Sequence, residues 1–488
     1  MPDRLSPRTS PTRRRPPRHA DVEVAPLLPA KPADEAKDAS KPASIRADLP
    51  AIALLLLLYT LQGVPLGLSG SLPMLFQERG VTTMEQAAFS TVAYPFAFKL
   101  LWAPLVDSIY VPKFGRRKTW IVPAQALIGL LLLTSSRYVD GLLGPVGGGG
   151  SNVRVLTGLF FFFHALAATQ DIAVDGLALT VLSERNKELG ATCNAIGQTL
   201  GFFMAYVGFL ALNAYGLASL GGFMAFWGWL FLASTLWVLA VRNDEYEALP
   251  GSASSQLVSA YKEMLLVIQL PAVKSLALVL LTCKAPLAAF DMLVPLELQA
   301  SGVPKEMLAM LTTLLLPVSM AAQAYVSREF SASGRSKPME MFMRAYAGRL
   351  IFGSVVVLLV FLLGVKSGDG GEIPAWLYVI GTLTSCAAAS ASAAMFVSQM
   401  AFYNRISDPK IGGTYMTMLN TLSNLGGQWP GTLVLATKGA IERLPGNPNG
   451  FYGVALGSLA LGILWFLVMS QRVSDLQSKP KQSWLTSK

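Results

Sequence analysis

The chain has 488 residues, 52% of them hydrophobic and only 14% charged, with a mean hydropathy of +0.47. Soluble domains carry about 25% charged residues. Too few charges remain here to coat the roughly three soluble domains that this length would otherwise suggest. An ordinary water-soluble enzyme and a disordered chain are both excluded, and lipid is the expected solvent. The net charge of +10 would favour nucleic acid in a soluble protein. Here it reads as basic loops and tails, with no nucleic-acid partner.

Residues 1–48 are polar, and the run Arg13-Arg14-Arg15-Pro16-Pro17-Arg18 cannot build a core. They read as a disordered basic cytoplasmic tail. Crossing a bilayer takes about 20 apolar residues at 1.5 Å each. Twelve such runs follow, near 49–72, 83–106, 119–136, 155–182, 191–213, 220–241, 273–299, 305–326, 345–364, 373–404, 410–436 and 450–470. With the N-terminus in the cytoplasm, alternation puts 27 Lys/Arg on that side, 7 on the other and five within or at the edge of spans. This bias obeys the positive-inside rule and places both termini in the cytoplasm. The predicted fold class is an all-α integral membrane protein of twelve transmembrane helices. Residues 49–241 form an N-terminal six-helix half, 242–272 a cytoplasmic linker, 273–470 a C-terminal six-helix half and 471–488 a cytoplasmic tail. A faint repeat places Leu189-Gly190-Ala191-Thr192 on Ile411-Gly412-Gly413-Thr414, and Gln198 on Asn420. Duplicated halves are a transporter plan with the binding site between them.

Charges inside a bilayer are costly and are functional candidates by default. Lys99 lies within the second span and Lys284 near the middle of the seventh. Two cations from opposite halves suit an anionic substrate; the competing reading is that each pairs with a carboxylate to hold helices together. Asp171 and Asp175 are four apart and share a helix face, placed to relay protons or to neutralise Lys99 or a loop arginine. Asp291 lies seven residues after Lys284, as a gate or an ionic partner. Amides form stripes: Asn420, Asn424 and Gln428 on the eleventh span, Asn194 and Gln198 on the fifth, with Tyr59 and Gln62 on the first. Such faces either bond helices together or line a wet cavity. Trp429, Tyr415, Tyr206 and Trp102 are candidates to stack on a ring, against the commoner role of packing. Gly63/Gly67 and Gly197/Gly201 are two GxxxG pairs, read as close helix packing.

The loop after the second span runs from Asp107 to Gly115-Arg116-Arg117-Lys118. An acid at a helix end followed by this basic group allows charge pairing at a cytoplasmic interface. Cys193, Cys283 and Cys386 have neither disulfide-framework nor zinc spacing. No nucleophile motif, metal cluster or ATP motif is present, so the chain is not expected to be an enzyme or to carry a cofactor.

The Asp107 loop resembles the signature between helices two and three of the major facilitator superfamily. Longer stretches are similar to its acetyl-coenzyme A transporter branch. They are Leu61-Gln62-Gly63-Val64-Pro65-Leu66-Gly67-Leu68, the run Lys99–Asp107, Ala167–Gly176 with Thr169-Gln170-Asp171 inside it, Cys193–Thr199, and Ser407–Met416 continuing to Asn420-Thr421-Leu422-Ser423-Asn424-Leu425-Gly426-Gly427. The likeness runs from about Asp48 to the last span. The family's loop between spans eleven and twelve is often larger and contains cysteine; here it is short and has none. The resemblance implies a multi-pass carrier of the endoplasmic reticulum membrane that moves cytosolic acetyl-CoA into the lumen, in exchange for coenzyme A, by alternating access. Under that reading Lys284, Lys99, Tyr59, Gln62, Gln170, Asn194, Gln198, Tyr415, Asn420 and Asn424 bind substrate. Asp107, Arg116, Arg117, Asp171, Asp175 and Asp291 gate it. The rivals are a proton-coupled carrier of another solute, such as a peptide or muropeptide, and a non-transporting receptor. Glu23-Val24-Ala25-Pro26-Leu27-Leu28 fits an endosomal sorting pattern, which leaves lysosomal or vacuolar residence as the alternative address.

Overall fold

Every regular element among the described residues is helical. In chain order they are α1 (Ile45–Glu78), α2 (Thr83–Phe89), α3 (Tyr94–Phe98), α4 (Ala103–Ser108), α5 (Lys118–Ser135), α6 (Val139–Leu143), α7 (Val153–Val181), α8 (Leu189–Ala214) and α9 (Leu220–Ala240). The second half of the chain adds α10 (Ala253–Gln269), α11 (Pro271–Thr282), α12 (Ala288–Ala300), α13 (Lys305–Ala332), α14 (Pro338–Gly368), α15 (Ala375–Ile406), α16 (Gly412–Glu442) and α17 (Phe451–Ser478). The structure is a computed structural model describing residues 45–148, 150–183, 186, 189–240, 253–332, 337–368, 374–407, 412–446 and 449–485. The expected N-terminal tail, with its sorting-like motif, lies outside these residues except at its end.

Ten stretches among the described residues are long and apolar enough to cross a membrane, Pro271–Ala300 counting as one of them. The other two expected spans differ for physical reasons. The second is not one helix: α2, α3 and α4 are joined through 3-10 turns at Ser90–Ala93 and Lys99–Leu101. Pro95 and Pro104 lack an N–H and clash with the carbonyl four residues back. The eleventh, α16, is 31 residues long, but its Asn and Gln stripe lowers its apolar content. The seventh span is also interrupted. α11 stops at Thr282, a 3-10 turn holds Ala285–Leu287 with Pro286 inside it, and α12 begins at Ala288.

A broken helix frees carbonyls, and in lipid each unsatisfied one costs several kcal/mol. Side chains from other elements meet this need. The Tyr261 hydroxyl of α10 donates to the Leu101 carbonyl, and Trp429 Nε1 of α16 donates to the Leu281 carbonyl at 2.9 Å. The linker is therefore structured over α10, which buries Met264 and Val267 while Leu265 and Leu266 stay exposed. At the C-terminal end, α17 continues past the expected boundary, and Trp484 is buried edge-on to Phe402 of α15, with centroids 5.7 Å apart.

The two GxxxG pairs face each other. A Cβ on Gly63 would collide with the Gln198 carbonyl oxygen, and one on Gly201 would collide with that of Thr60. Gly67 meets the Phe202 carbonyl and Gly197 meets the Tyr59 side chain in the same way. α1 and α8 thus touch backbone to backbone. The C-terminal half repeats the device, with Gly426 of α16 set against the Leu280 carbonyl of α11. Both halves thus contain a close helix contact, of the fifth helix on the first and of the eleventh on the seventh.

Gly201→Ala will force these backbones apart and lower the thermal unfolding midpoint in detergent, by an overpacking cost of about 1–3 kcal/mol. Gly158→Ala on α7, where a Cβ meets nothing within 4 Å, will leave the midpoint in place.

Candidate transport site

In the N-terminal half, α1, α3–α4, α7 and α8 converge on a group of charges. Lys99, at the break between α3 and α4, forms an ion pair with Asp171 of α7. Both side chains are largely buried, at 15% and 3% exposed. One turn further along α7, Asp175 is exposed and is held from two sides. The Tyr59 hydroxyl donates to its Oδ1 at 2.8 Å and Asn194 Nδ2 donates to the same oxygen at 3.0 Å. The four-residue spacing therefore gives two carboxylates different work: one neutralises a lysine, and the other faces open space. Gln62 and Gln170 are fully buried and brace α1 against α7, reaching the carbonyls of Ala167 and Leu58. Trp102 Nε1 donates to Thr169 Oγ1 at 3.1 Å. Gln198 is half-buried on α8.

In the C-terminal half, Lys284 sits at the break between α11 and α12. Its Nζ donates to the Ser423 carbonyl at 3.2 Å and lies 3.4 Å from Ser423 Oγ. Among the described residues no carboxylate lies within ion-pair distance of it, unlike Lys99. On the neighbouring α16 face, Asn420 is half-buried and Asn424 exposed, while Tyr415 is fully buried. Asp291 of α12 is ion-paired with Arg349 of α14, a residue that sequence reasoning leaves without a role.

Asp107, Arg116 and Arg117 form a tight group. Arg117 Nη1 lies 2.5 Å from Asp107 Oδ1, and Arg116 Nε donates to the Asp107 carbonyl at 2.7 Å. The Arg117 guanidinium packs where a Cβ on Gly176 of α7 would stand. Gly115, with φ +85°, allows the turn that brings both arginines back. These contacts join elements of the N-terminal half, so the group fixes the second, third and fourth spans to one another.

The halves meet at the other end of the bundle. Lys305 of α13 pairs with Glu78 of α1 at 2.8 Å and reaches Asn213 Oδ1 at 3.3 Å. Gln299 Nε2 donates to the Met74 carbonyl at 3.0 Å. Midway, Ser90 and Thr432 share a hydrogen bond of 2.6 Å between α2–α3 and α16. Below the closed end lies a cavity of about 480 Å³, walled by α12–α15 and reached by Met74 and Tyr206 from the N-terminal half. A buried cluster that sequence reasoning misses joins α12 to α16: Lys438 pairs with Glu297 at 3.2 Å, and Asn449 donates to Glu297 at 2.6 Å. Among the described residues no group of His, Cys, Asp and Glu could hold a metal ion.

Several solved transporters share this fold. Nucleoside transporter NupG aligns with a TM-score of 0.61 at 12% identity, over 86% of this chain and 99% of its own. XylE, the xylose transporter of E. coli in an inward-open conformation, aligns at 0.57 and 11% identity, over 87% and 96%. An inward-facing bacterial homologue of the lysosomal transporter Spinster aligns at 0.55 and 14%, over 89% and 96%. These likenesses show the fold, and the spans show a multi-pass membrane protein. Sequence narrows this further. The family model for acetyl-coenzyme A transporter 1 matches residues 51–257 and 247–444, and the chain belongs to that family. An uncharacterised protein of Schizosaccharomyces pombe is 33% identical over 79% of this chain and 73% of its own length. An uncharacterised membrane protein of Saccharomyces cerevisiae is 27% identical over 90% and 97%. The anhydromuropeptide permease of Escherichia coli is 32% identical over 32% of this chain and 30% of its own.

Lys99→Met will leave Asp171 buried and uncompensated, a loss of about 3–5 kcal/mol. Lys99→Met with Asp171→Asn will recover most of it. Thermal unfolding of the purified single and double variants checks the coupling; equal midpoints would show that the pair is not an energetic unit.

Proposed function

We propose that this chain carries acetyl-CoA from the cytosol into the lumen of the endoplasmic reticulum, in exchange for coenzyme A. The observation that carries the reading is Lys284: a cation at a mid-membrane helix break, without a carboxylate partner among the described residues, in a chain of the acetyl-coenzyme A transporter 1 family. Acetyl-CoA carries about four negative charges, so a mid-depth cation that is not already neutralised is the group it needs. Lys99 is the weaker candidate in this arrangement, because Asp171 occupies it.

With both termini cytoplasmic, as the distribution of basic residues supports, the Glu78–Lys305–Asn213 end faces the lumen and is closed, so substrate enters from the cytosol. Lys284 attracts phosphate, while Asn424, Asn420, Asn194 and Gln198 offer amides along the pantetheine arm. The two halves then rock about the site. The Glu78–Lys305 pair and the Gln299–Met74 bond part at the luminal end as the cytosolic end closes. The Asp107–Arg116–Arg117 group keeps the N-terminal half rigid during that motion. The second reading, a proton-coupled carrier of a peptide-like solute, draws on the partial likeness to the anhydromuropeptide permease and on the exposed, doubly hydrogen-bonded Asp175.

Uptake of labelled acetyl-CoA into proteoliposomes tests the proposal. Saturable uptake will be accelerated by internal coenzyme A and will fall at least tenfold in Lys284→Ala. Uptake no greater than in empty vesicles, by correctly inserted protein, would reject it. Uptake of anhydromuropeptide driven by a proton gradient and lost in Asp175→Asn would select the second reading.

A further inference from the structure

Arg349 stands apart from the other charges in the bundle. It lies eleven residues into α14, about 16 Å from the Pro338 end at 1.5 Å per residue, and only 7% of it is exposed. Its partner, Asp291, is half exposed and meets only Nη2 of the guanidinium. Nε is buried and, among the described residues, has no hydrogen-bond partner. A guanidinium is charged at every accessible pH and offers five donors in a fixed fork. Burying it with donors unmet is unfavourable, and a one-point contact to a half-solvated carboxylate does not complete its needs.

Arg349 is also part of the wall of the 480 Å³ cavity, a volume within the roughly 300–1,000 Å³ range of ligand sites. Polar side chains share that wall. Thr312 and Ser319 donate their hydroxyls to carbonyls of their own helix, which leaves the Gln323 amide and the Ser385 and Ser392 hydroxyls on the same wall. The remaining wall is mainly apolar, with Phe290, Leu311, Leu315 and Phe396 among it. Gly353, one turn after Arg349, is where α14 presses on Phe290: a Cβ there would stand 2.6 Å from the ring. That close approach holds Arg349 beside Asp291 and against the cavity.

From this geometry we infer that Arg349 is an anion-binding residue of the 480 Å³ cavity, and that Asp291 is its resident counter-ion, displaced when a phosphate group of the substrate arrives. A phosphate offers several oxygens to the fork and satisfies Nε as well as Nη2. Asp291 keeps the guanidinium neutralised while the cavity is empty. The exchange of one anion for another means that neither the loaded nor the empty carrier holds a bare cation in the membrane. The proposal rests on the acetyl-CoA reading for the identity of the substrate, but not for the existence of the anion site.

Equilibrium binding to the purified protein in detergent tests it, with labelled acetyl-CoA and inorganic pyrophosphate as separate probes. Arg349→Gln will weaken both by tenfold or more, the loss of a charge-assisted contact; Arg349→Lys will recover part of the binding. Asp291→Asn removes the competitor, so it will tighten binding several-fold while slowing uptake in proteoliposomes. The double variant Arg349→Gln with Asp291→Asn is electrically balanced. If the pair only braces α12 against α14, the double variant will regain wild-type binding, which would overturn the proposal. Equal acetyl-CoA affinity in wild type and Arg349→Gln would also overturn it while leaving the acetyl-CoA reading intact. Pyrophosphate binding that depends on Arg349, with no binding of acetyl-CoA to the wild type, would retain the anion site and reject that substrate.

Discussion

The backbone contact between α1 and α8 sets the geometry of the N-terminal half. Without side chains at Gly63, Gly67, Gly197 and Gly201, the two helices approach until backbone or side-chain atoms of the partner lie where Cβ atoms would otherwise stand. Dispersion and close packing, rather than hydrophobic transfer, hold helices together in lipid, so this contact is the kind of cohesion available there. It also fixes position. Tyr59 of α1 and Asn194 of α8 flank that seam, and both reach the same oxygen of Asp175 on α7. A wider separation would break one bond or the other. The parallel contact of Gly426 with the α11 carbonyl at Leu280 places α16 beside Lys284 in the same manner.

Around these seams the bundle distributes its charges by a common rule with graded exceptions. Lys438 and Glu297 are buried together and further tied by Asn449. Lys99 and Asp171 are nearly as well covered. Arg349 has a partner that is half in open space. Lys284 relies on a carbonyl and a hydroxyl. Since a cation in hydrocarbon is costly in proportion to how poorly it is compensated, the least compensated groups are where a mobile anion gains most by binding. The gradient runs from well-compensated pairs to the cations proposed above to face a ligand.

Much of the fold is legible along the chain because a bilayer demands long apolar runs: the third span, expected at 119–136, is α5 at Lys118–Ser135. The glycine pairs are legible too, although not their opposition. Interruptions are less so. Proline is tolerated within membrane helices, and α1 runs straight through Pro50, Pro65 and Pro73, so Pro95, Pro104 and Pro286 do not by themselves announce a break. Partner choice is hidden for a different reason. Whether Asp171 or Asp175 takes Lys99 depends on a shift of one helical turn, which no local pattern encodes. Arg349 escapes sequence reasoning through a boundary: with the ninth span placed at 345–364 it looks like an end residue, whereas α14 begins at Pro338. Asp291, an acid within an apolar run, is the signal in the sequence that points to an interior cation.

Both lysines lie at places where the helix is already interrupted: Lys99 opens one 3-10 turn and Lys284 precedes another. A charge at such a point is attached to the softest part of its span. If Lys284 binds the substrate as proposed, drawing its ammonium towards a ligand pulls on a joint rather than on a rigid rod. Under that proposal, affinity and shape are written into the same few residues. A site so built would tie how tightly the cargo is held to how readily the carrier turns over, a link that a site on unbroken helices would avoid.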